Sequence, residues 1–354
     1  DPLWSRGLGD VYKRQCYNYI YGKIMRKTTR ILFYLVFNYL LCTNLHAINS
    51  PDIKFIKFIN HFKITASQQG IDQNTLNLAF DGITQPYPNI IKSVKNQPEF
   101  NQDAQNYLNN RVTQDRINEG KKQKINLQNY LDIIEKKYGV DRNIVLAIWA
   151  NETNYGEALK NPKVMKDAIK ALSSLAYYKS RYNKYAKQQL IALLKILQKR
   201  YMDRDSLKSS WAGAMGQTQF IPTSYLTYAQ DLDGNGKYDI NNIPDALAAT
   251  ANLLGQNGWH RNQAWIYELD TSNALRLKHL TNVTYNINHW RALRLHLKDG
   301  TELPMSNQQA KLIKLSGVAP RYLLVMHNFK VIKAYNNSDL YALSVGLLAN
   351  ALKN

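Results

Sequence analysis

Ile144-Val145-Leu146-Ala147-Ile148-Trp149-Ala150-Asn151-Glu152-Thr153-Asn154-Tyr155-Gly156 is the stretch on which the fold turns. An unbroken apolar run with no proline is followed within two residues by a carboxylate. Asp141 before it is a helix-starting residue, and Gly156 after it suits the position that ends a helix, so one helix is expected between them. Ile144, Ile148 and Glu152 recur at intervals of four, which puts the carboxylate on the apolar face. Two readings of Glu152 follow. In one it is withdrawn from water and keeps its proton, its pKa moved from about 4.3 toward roughly 6, the state a general acid requires. In the other it sits at a frayed, solvated helix end.

The 354 residues are enough for two or three domains and a sizeable core. Tyrosine is abundant, at 24 residues, which fits either a groove lined with rings or a set of half-buried core side chains. The formal charge is +20; residues 1–47 hold seven Lys/Arg and two Asp/Glu, or +5, leaving +15 for the remainder. Such a balance points to a polyanionic partner: wall polymer, anionic lipid or nucleic acid. No nucleotide-binding glycine loop or nucleic-acid motif accompanies the charge, so nucleic acid is not the expected partner. The seven histidines lack metal-ligand spacing.

Residues 25–47 read as a secretory signal. Met25 is followed by basic Arg26, Lys27 and Arg30, by an apolar segment Ile31 to Leu41, and by Leu45-His46-Ala47 as a cleavage site. The apolar segment is too short to span a bilayer. Residues 1–24 precede that start and read as an assembly artefact. The expected location is periplasmic. Both cysteines, Cys16 and Cys42, fall in this leader, so the rest of the chain offers no disulfide, thiol nucleophile or Cys-ligated zinc. Cys42 is a candidate lipidation site, and through it a route to the outer membrane, although bulky Leu41 argues against that.

Residues 48–138 read as several helices, with Phe55, Phe58 and Phe62 at helical spacing. Two further helical patterns occupy 163–204. A glycine-rich turn follows, Ser210-Trp211-Ala212-Gly213-Ala214-Met215-Gly216-Gln217-Thr218-Gln219-Phe220-Ile221-Pro222, with Pro222 and Thr223 suited to open a short helix. Residues 245–258 form an alanine-rich helix ended by Gly258. From 259 to 317 the pattern shifts to short alternating runs such as Val283-Thr284-Tyr285-Asn286-Ile287, with turns at Asp299-Gly300 and Pro304, so a small β-rich subdomain is expected. Helix returns in 318–354, where Ser338 caps Leu340 to Leu352. One more constellation stands out. Asp231-Leu232-Asp233-Gly234-Asn235-Gly236-Lys237-Tyr238-Asp239 has oxygen side chains at positions 1, 3, 5 and 9 and glycine at 6, the opening of an EF-hand calcium loop. Asn242 occupies position 12, where glutamate normally closes the site, so a solvated Asp-Gly turn is the alternative.

Three segments resemble one known family. Residues 147–156 are similar to the catalytic segment of the membrane-bound lytic murein transglycosylase B family, also called glycoside hydrolase family 103. Residues 211–222 resemble its second motif, and 328–343 its C-terminal one, in the same order over nearly all of 50–354. The resemblance implies an exported enzyme that breaks the β-1,4 bond between N-acetylmuramic acid and N-acetylglucosamine in peptidoglycan without adding water, leaving 1,6-anhydromuramic ends. The implied fold is mainly α. A lysozyme-like helical core (139–258) carries an additional helical domain (48–138) and a small β-rich subdomain (259–317), and 318–354 completes the core.

The resemblance makes Glu152 the acid and then the base. Ser210 and Gln219 match polar residues that hold the N-acetyl group or the glycan backbone, and Arg181 and Tyr185 match groove-lining residues. Tyr335 and Tyr341 match the C-terminal aromatic pair, and Tyr107 an aromatic of the helical domain. For Tyr185 and Tyr341 plain helix packing is the alternative. The chain departs from the family at Tyr182, where a second arginine is usual, and at Leu253, where a tyrosine is usual. The resemblance also implies a longer calcium loop closed by Asp245, giving Asp231, Asp233, Asn235, Lys237 (through its carbonyl) and Asp245 as ligands of a structural ion, with no organic cofactor. Glycan strands are the expected partner and a monomer the expected state. Two rivals remain: a hydrolytic muramidase in which Asp167, Asp203 or Asp205 activates water, and a wall-binding protein without catalysis.

Overall fold

The computed structural model describes residues 50–90, 104–178, 181–276, 278–315 and 321–353. The expected signal segment, the leader before it and both cysteines lie outside the described residues. The chain divides into two compact units, Asp1–Ile56 and Lys57–Asn354. The described end of the first opens a helix, Ile53–Gln68, and everything below belongs to the second.

Its centre is the acid helix, Arg142–Thr153. The side chain of Asp141 caps it by accepting the Asn143 backbone N–H. Ile144 through Ile148 are all fully buried and Trp149 is 1% exposed. A helix that is apolar all round has to be enclosed by others. Its most extensive packing is against the closing helix, Asp339–Lys353; helices Gln114–Asn126, Ile243–Gln256 and Gln128–Tyr138 cover its other sides. Each fully buried Ile, Leu or Val here contributes about 1.5–3 kcal/mol.

The helix ends earlier than the glycine signal implied. Its C-cap is Asn154, in the left-handed conformation at φ 52°, and Gly156 instead opens a short 3-10 turn, Glu157–Lys160. Asparagine tolerates that conformation better than most side chains, and the Thr153 hydroxyl accepts the Gly156 N–H to close the end.

The first stretch is helical as expected, with helices Gln73–Phe80, Ala104–Arg111, Gln114–Asn126 and Gln128–Tyr138 after the opening one. Helices Ala168–Tyr177 and Asn183–Gln198 pack on each other through their apolar faces. A two-stranded pair, β1 (Lys166–Asp167) with β2 (Lys208–Ser209), delivers the chain to the glycine-rich turn. There Met215 bridges both Ser209 and Phe220, folding 209–220 back on itself. Pro222 then starts helix Pro222–Tyr228 from its first turn.

Four strands form the other sheet: β3 (Ile266–Glu268), β4 (Thr284–Asn286), β5 (Gln309–Leu315) and β6 (Arg321–Val325), in the order β3-β6-β5-β4, all antiparallel. It encloses its own core around Trp290, Leu312, Tyr322 and Leu324. Three strands come from the stretch expected to be β-rich; β6 comes from beyond residue 317. Its sequence, Arg321-Tyr322-Leu323-Leu324-Val325, is a short apolar run that fits a strand or a buried helix equally by periodicity. No helix among the described residues is long and apolar enough to cross a membrane.

Candidate active site

Glu152 occupies the last turn of the acid helix and is half-buried. The Tyr341 hydroxyl donates to Glu152 Oε1 at 2.6 Å. Tyr341 is itself 4% exposed, near the start of the closing helix. The ring of Tyr335 lies parallel to that of Tyr341, centroids 6.4 Å apart, and Phe220 meets Tyr335 edge-on at 5.5 Å. The Tyr335 hydroxyl donates to the Thr218 carbonyl. Burial first, and the Glu152 charge next, hold both phenols well above their ordinary range, so each keeps its proton as a hydrogen-bond donor. Tyr107 is 4% exposed, with the Arg111 guanidinium 5.3 Å from its ring centroid. Tyr341 therefore packs and also holds the glutamate.

The turn that carries Glu152 is pinned from several sides, which the solvated, frayed reading did not anticipate. Arg111 Nη1 donates to the Asn151 carbonyl at 2.7 Å, and the Ser344 hydroxyl donates to Asn151 Oδ1 at 3.0 Å. Arg116 Nε donates to Asn154 Oδ1 at 3.1 Å, while Tyr155 donates its hydroxyl to the Arg116 carbonyl at 2.9 Å. Two guanidinium groups thus face the negative end of the helix dipole. Gln217 accepts from Trp149 Nε1 at 3.0 Å, and its carbonyl accepts from the Thr153 hydroxyl at 2.6 Å. Sequence reasoning passed over these residues. Arg111 and Arg116 stand in a very polar stretch where no single cation is distinguished, and Gln217 had only its place inside the glycine-rich turn to mark it.

Ser210 and Gln219 lie in the turn that bonds to the helix through Gln217, and their own side chains support the turn itself. Ser210 Oγ accepts the N–H groups of Ala212 and Ala214 at 3.3 and 3.2 Å. Gln219, at φ 54°, donates its amide to the Gly216 carbonyl at 2.9 Å. Tyr185 donates its hydroxyl to the Ala212 carbonyl at 3.1 Å and packs edge-on with Tyr182. Burial, then Tyr182, pushes its phenol up to about 12. Tyr182 in turn meets Trp211, and the Arg181 guanidinium lies over the Tyr182 ring, exposed at the rim. An aromatic cluster thus stands where a second arginine was expected. Leu253 is 5% exposed on helix Ile243–Gln256 and serves as core. Of the aspartates weighed as water activators, Asp167 caps helix Ala168–Tyr177 and pairs with Arg204 at 2.7 Å, while Asp203 pairs with Lys237 at 3.5 Å.

Carboxylate oxygens of Asp231, Asp233 and Asp245 all lie within 4.8 Å of one another. Asp245 is 1% exposed, and burial, with the neighbouring Asp233 charge, raises its carboxyl above the ordinary value despite the N–H groups of Leu232 and Asp239. Asp231 accepts the N–H groups of Gly234, Asn235 and Gly236, so the loop is already wound. Asn242 donates its amide to Asp233 Oδ2 at 2.6 Å. Asn235 Oδ1 accepts the Lys237 N–H, and the Lys237 ammonium points outward to Asp203. An all-oxygen set with a buried carboxylate raised by burial fits a hard divalent cation.

The model of the transglycosylase SLT domain family matches residues 54–350. The chain belongs to that family. As a member of the SLT domain family it is 30% identical, over 217 residues, to membrane-bound lytic murein transglycosylase B of Escherichia coli (strain K12). That alignment covers 61% of this chain and 58% of the relative, so the match spans little more than half of that protein. Among solved structures, SltB3 from Pseudomonas aeruginosa in complex with NAG-NAM-pentapeptide is 38% identical, with a TM-score of 0.76 over 86% of this chain and 80% of that one. The same protein is also solved with NAG-anhNAM-pentapeptide. Slt35 of Escherichia coli, in complex with calcium, is 26% identical with a TM-score of 0.67, covering 85% of this SLT chain and 93% of that one. The lysozyme-like, mainly helical fold with a small antiparallel sheet is the fold of this group.

Proposed function

We propose that the protein is a peptidoglycan lytic transglycosylase with Glu152 as its acid and base. The observation that carries this reading is the hydrogen bond from Tyr341 to Glu152 on a turn fixed by Arg111, Ser344 and Gln217, which gives one carboxylate a defined aim. The protonated glutamate donates to the glycosidic oxygen of the leaving N-acetylglucosamine. The bond from that oxygen to the muramoyl C1 breaks, and C1 gains oxocarbenium character. The glutamate, now ionised, takes the proton of the muramoyl C6 hydroxyl as O6 bonds to C1. The proton returns to Glu152, and no water enters. Hydrolysis would instead recruit a second carboxylate about 5–10 Å away. Of the three aspartates that could activate water, Asp167 is engaged by Arg204 and by its helix cap, while Asp203 and Asp205 are exposed. A relative of this chain solved with an anhydro-muramoyl ligand supports the same product.

On this reading exposed Arg181, with Tyr185 and the Tyr182–Trp211 cluster, contacts the glycan strand; buried Tyr107 and Tyr341, with half-buried Tyr335, back the acid, and Ser210 and Gln219 order the glycine-rich turn beside it. Asp231, Asp233, Asp245, the Asn235 side chain and the Lys237 carbonyl would hold a structural calcium, which would offset the charge of a carboxylate cluster in which Asp245 is buried. The site of action is the cell wall, outside the cytoplasm. Mass spectrometry of digested peptidoglycan tests the reading. Anhydromuramic products, lighter than hydrolysed ones by one water, are expected from wild type, and no fragments from Glu152→Gln. Fragments carrying an added water would replace this mechanism with hydrolysis.

A further inference from the structure

Gln217 uses all four of its polar groups to join the acid helix to the acidic loop. Its side-chain oxygen accepts from Trp149 and its carbonyl from Thr153, residues that flank Glu152 within one helical turn. Its side-chain nitrogen donates to the Asn241 carbonyl at 2.9 Å, and its backbone N–H to the Ile240 carbonyl at 2.9 Å. Ile240 and Asn241 belong to the segment between Asp239 and Asp245. Asp239 N–H donates to Asp245 Oδ2, and Asp239 Oδ1 accepts from Asn241 N–H. The join has no slack: a Cβ placed on Gly216 would lie 2.3 Å from the Ile240 carbonyl, and one on Gly156 would lie 2.7 Å from Gln217 Oε1. The other groups that hold this turn, Arg111, Ser344 and Tyr341, come from helices outside the loop.

We propose that Gln217 is a positioning residue that transmits cation occupancy of the Asp231–Asp245 loop to the turn bearing Glu152. This rests on the reading of Glu152 as the acid and of the loop as a calcium site. When carboxylates 231, 233 and 245 draw in around the ion, residues 240 and 241 move with them, and Gln217 carries the displacement to Trp149 and Thr153. The loop then tunes catalysis through geometry, with no charge acting on the sugar.

The test follows the Trp149 indole N–H by nitrogen-15 NMR, its signal assigned with Trp149→Phe, while calcium is titrated into metal-stripped protein. In wild type the signal shifts with calcium, and kcat rises with KM unchanged. In Gln217→Met calorimetry still registers calcium, the Trp149 signal no longer follows it, and kcat falls about tenfold and loses its calcium response. Gln217→Glu keeps the acceptor for Trp149 and the backbone bonds to Ile240 and Thr153 but removes the donor to Asn241, so its calcium response is weakened and lies between those of wild type and Gln217→Met. Calcium binding that leaves the wild-type signal still, or moves it equally in both variants, overturns the coupling and leaves the acid assignment standing. Absence of calcium binding overturns the coupling together with the calcium site, whereas failure of Glu152→Gln to lose activity strikes the acid assignment alone.

Discussion

Tyr341 and Glu152 are 189 positions apart in the chain and 2.6 Å apart in space. A phenol held well above its ordinary pKa always donates, and a donor to a carboxylate favours the ionised form. In Tyr341→Phe the ring packing survives and that donor is lost. The alkaline limb of the activity profile should then move to higher pH, while kcat near neutrality falls about tenfold because the glutamate loses its aim. A pH-rate series on the two proteins measures both; an unmoved limb would detach Tyr341 from the chemistry. The place of Glu152 on the helix was legible in sequence, since its spacing from Ile144 and Ile148 is local, while its proposed role came from the family resemblance. What holds it was not. Arg111, Gln217 and Ser344 reach the turn from far along the chain, and nothing in their own neighbourhoods marks them.

Two glycines with similar backbone angles test the elements at this end of the molecule. Gly216, at φ +66°, leaves no room for a Cβ against Ile240, whereas Gly234, at φ +74°, has open space around it. Gly216→Ala should lower stability by about 3 kcal/mol or more, from clash added to strain, and Gly234→Ala by about 1 kcal/mol, from strain alone. Denaturant melts compare them. The loop gives a prediction with a sign. Without metal, a raised Asp245 pKa means that this group's stabilising contribution is full below the ordinary aspartate range and is lost as pH rises through the folded value. Calcium has to displace a proton only below the folded value, and above it relieves the penalty of the buried, ionised carboxylate. Saturating calcium should therefore raise Tm by roughly 5 °C at pH 7 and much less near pH 4; an equal shift at both would rule out these carboxylates as ligands. Most elements could be read from caps and periodicity. Among those that could not, β1, β2 and β6, the short helices Thr271–Arg276 and Ile287–Ala292 and the early end of the acid helix depended on which strand lies alongside and which side chain reaches the cap.

At the scale of the whole molecule a net charge of +20, of which +15 lies beyond residue 47, should govern encounter with a polyanionic wall. Co-sedimentation with purified peptidoglycan should weaken steeply between about 0.05 and 0.5 M salt, as the screening length contracts from above 10 Å toward a few Å. Glu152→Gln should show the same salt curve, because capture and cleavage draw on different groups. Retention that ignores salt would assign wall binding to the groove alone. The acid helix adds a mechanical consequence. Its body is buried from Asn143 to Asn151, and Glu152, the proposed proton donor, rides on its final turn. Threading a long polymer past it can flex the walls and rims, while the donor stays fixed as a post against which the sugar chain is brought to bear.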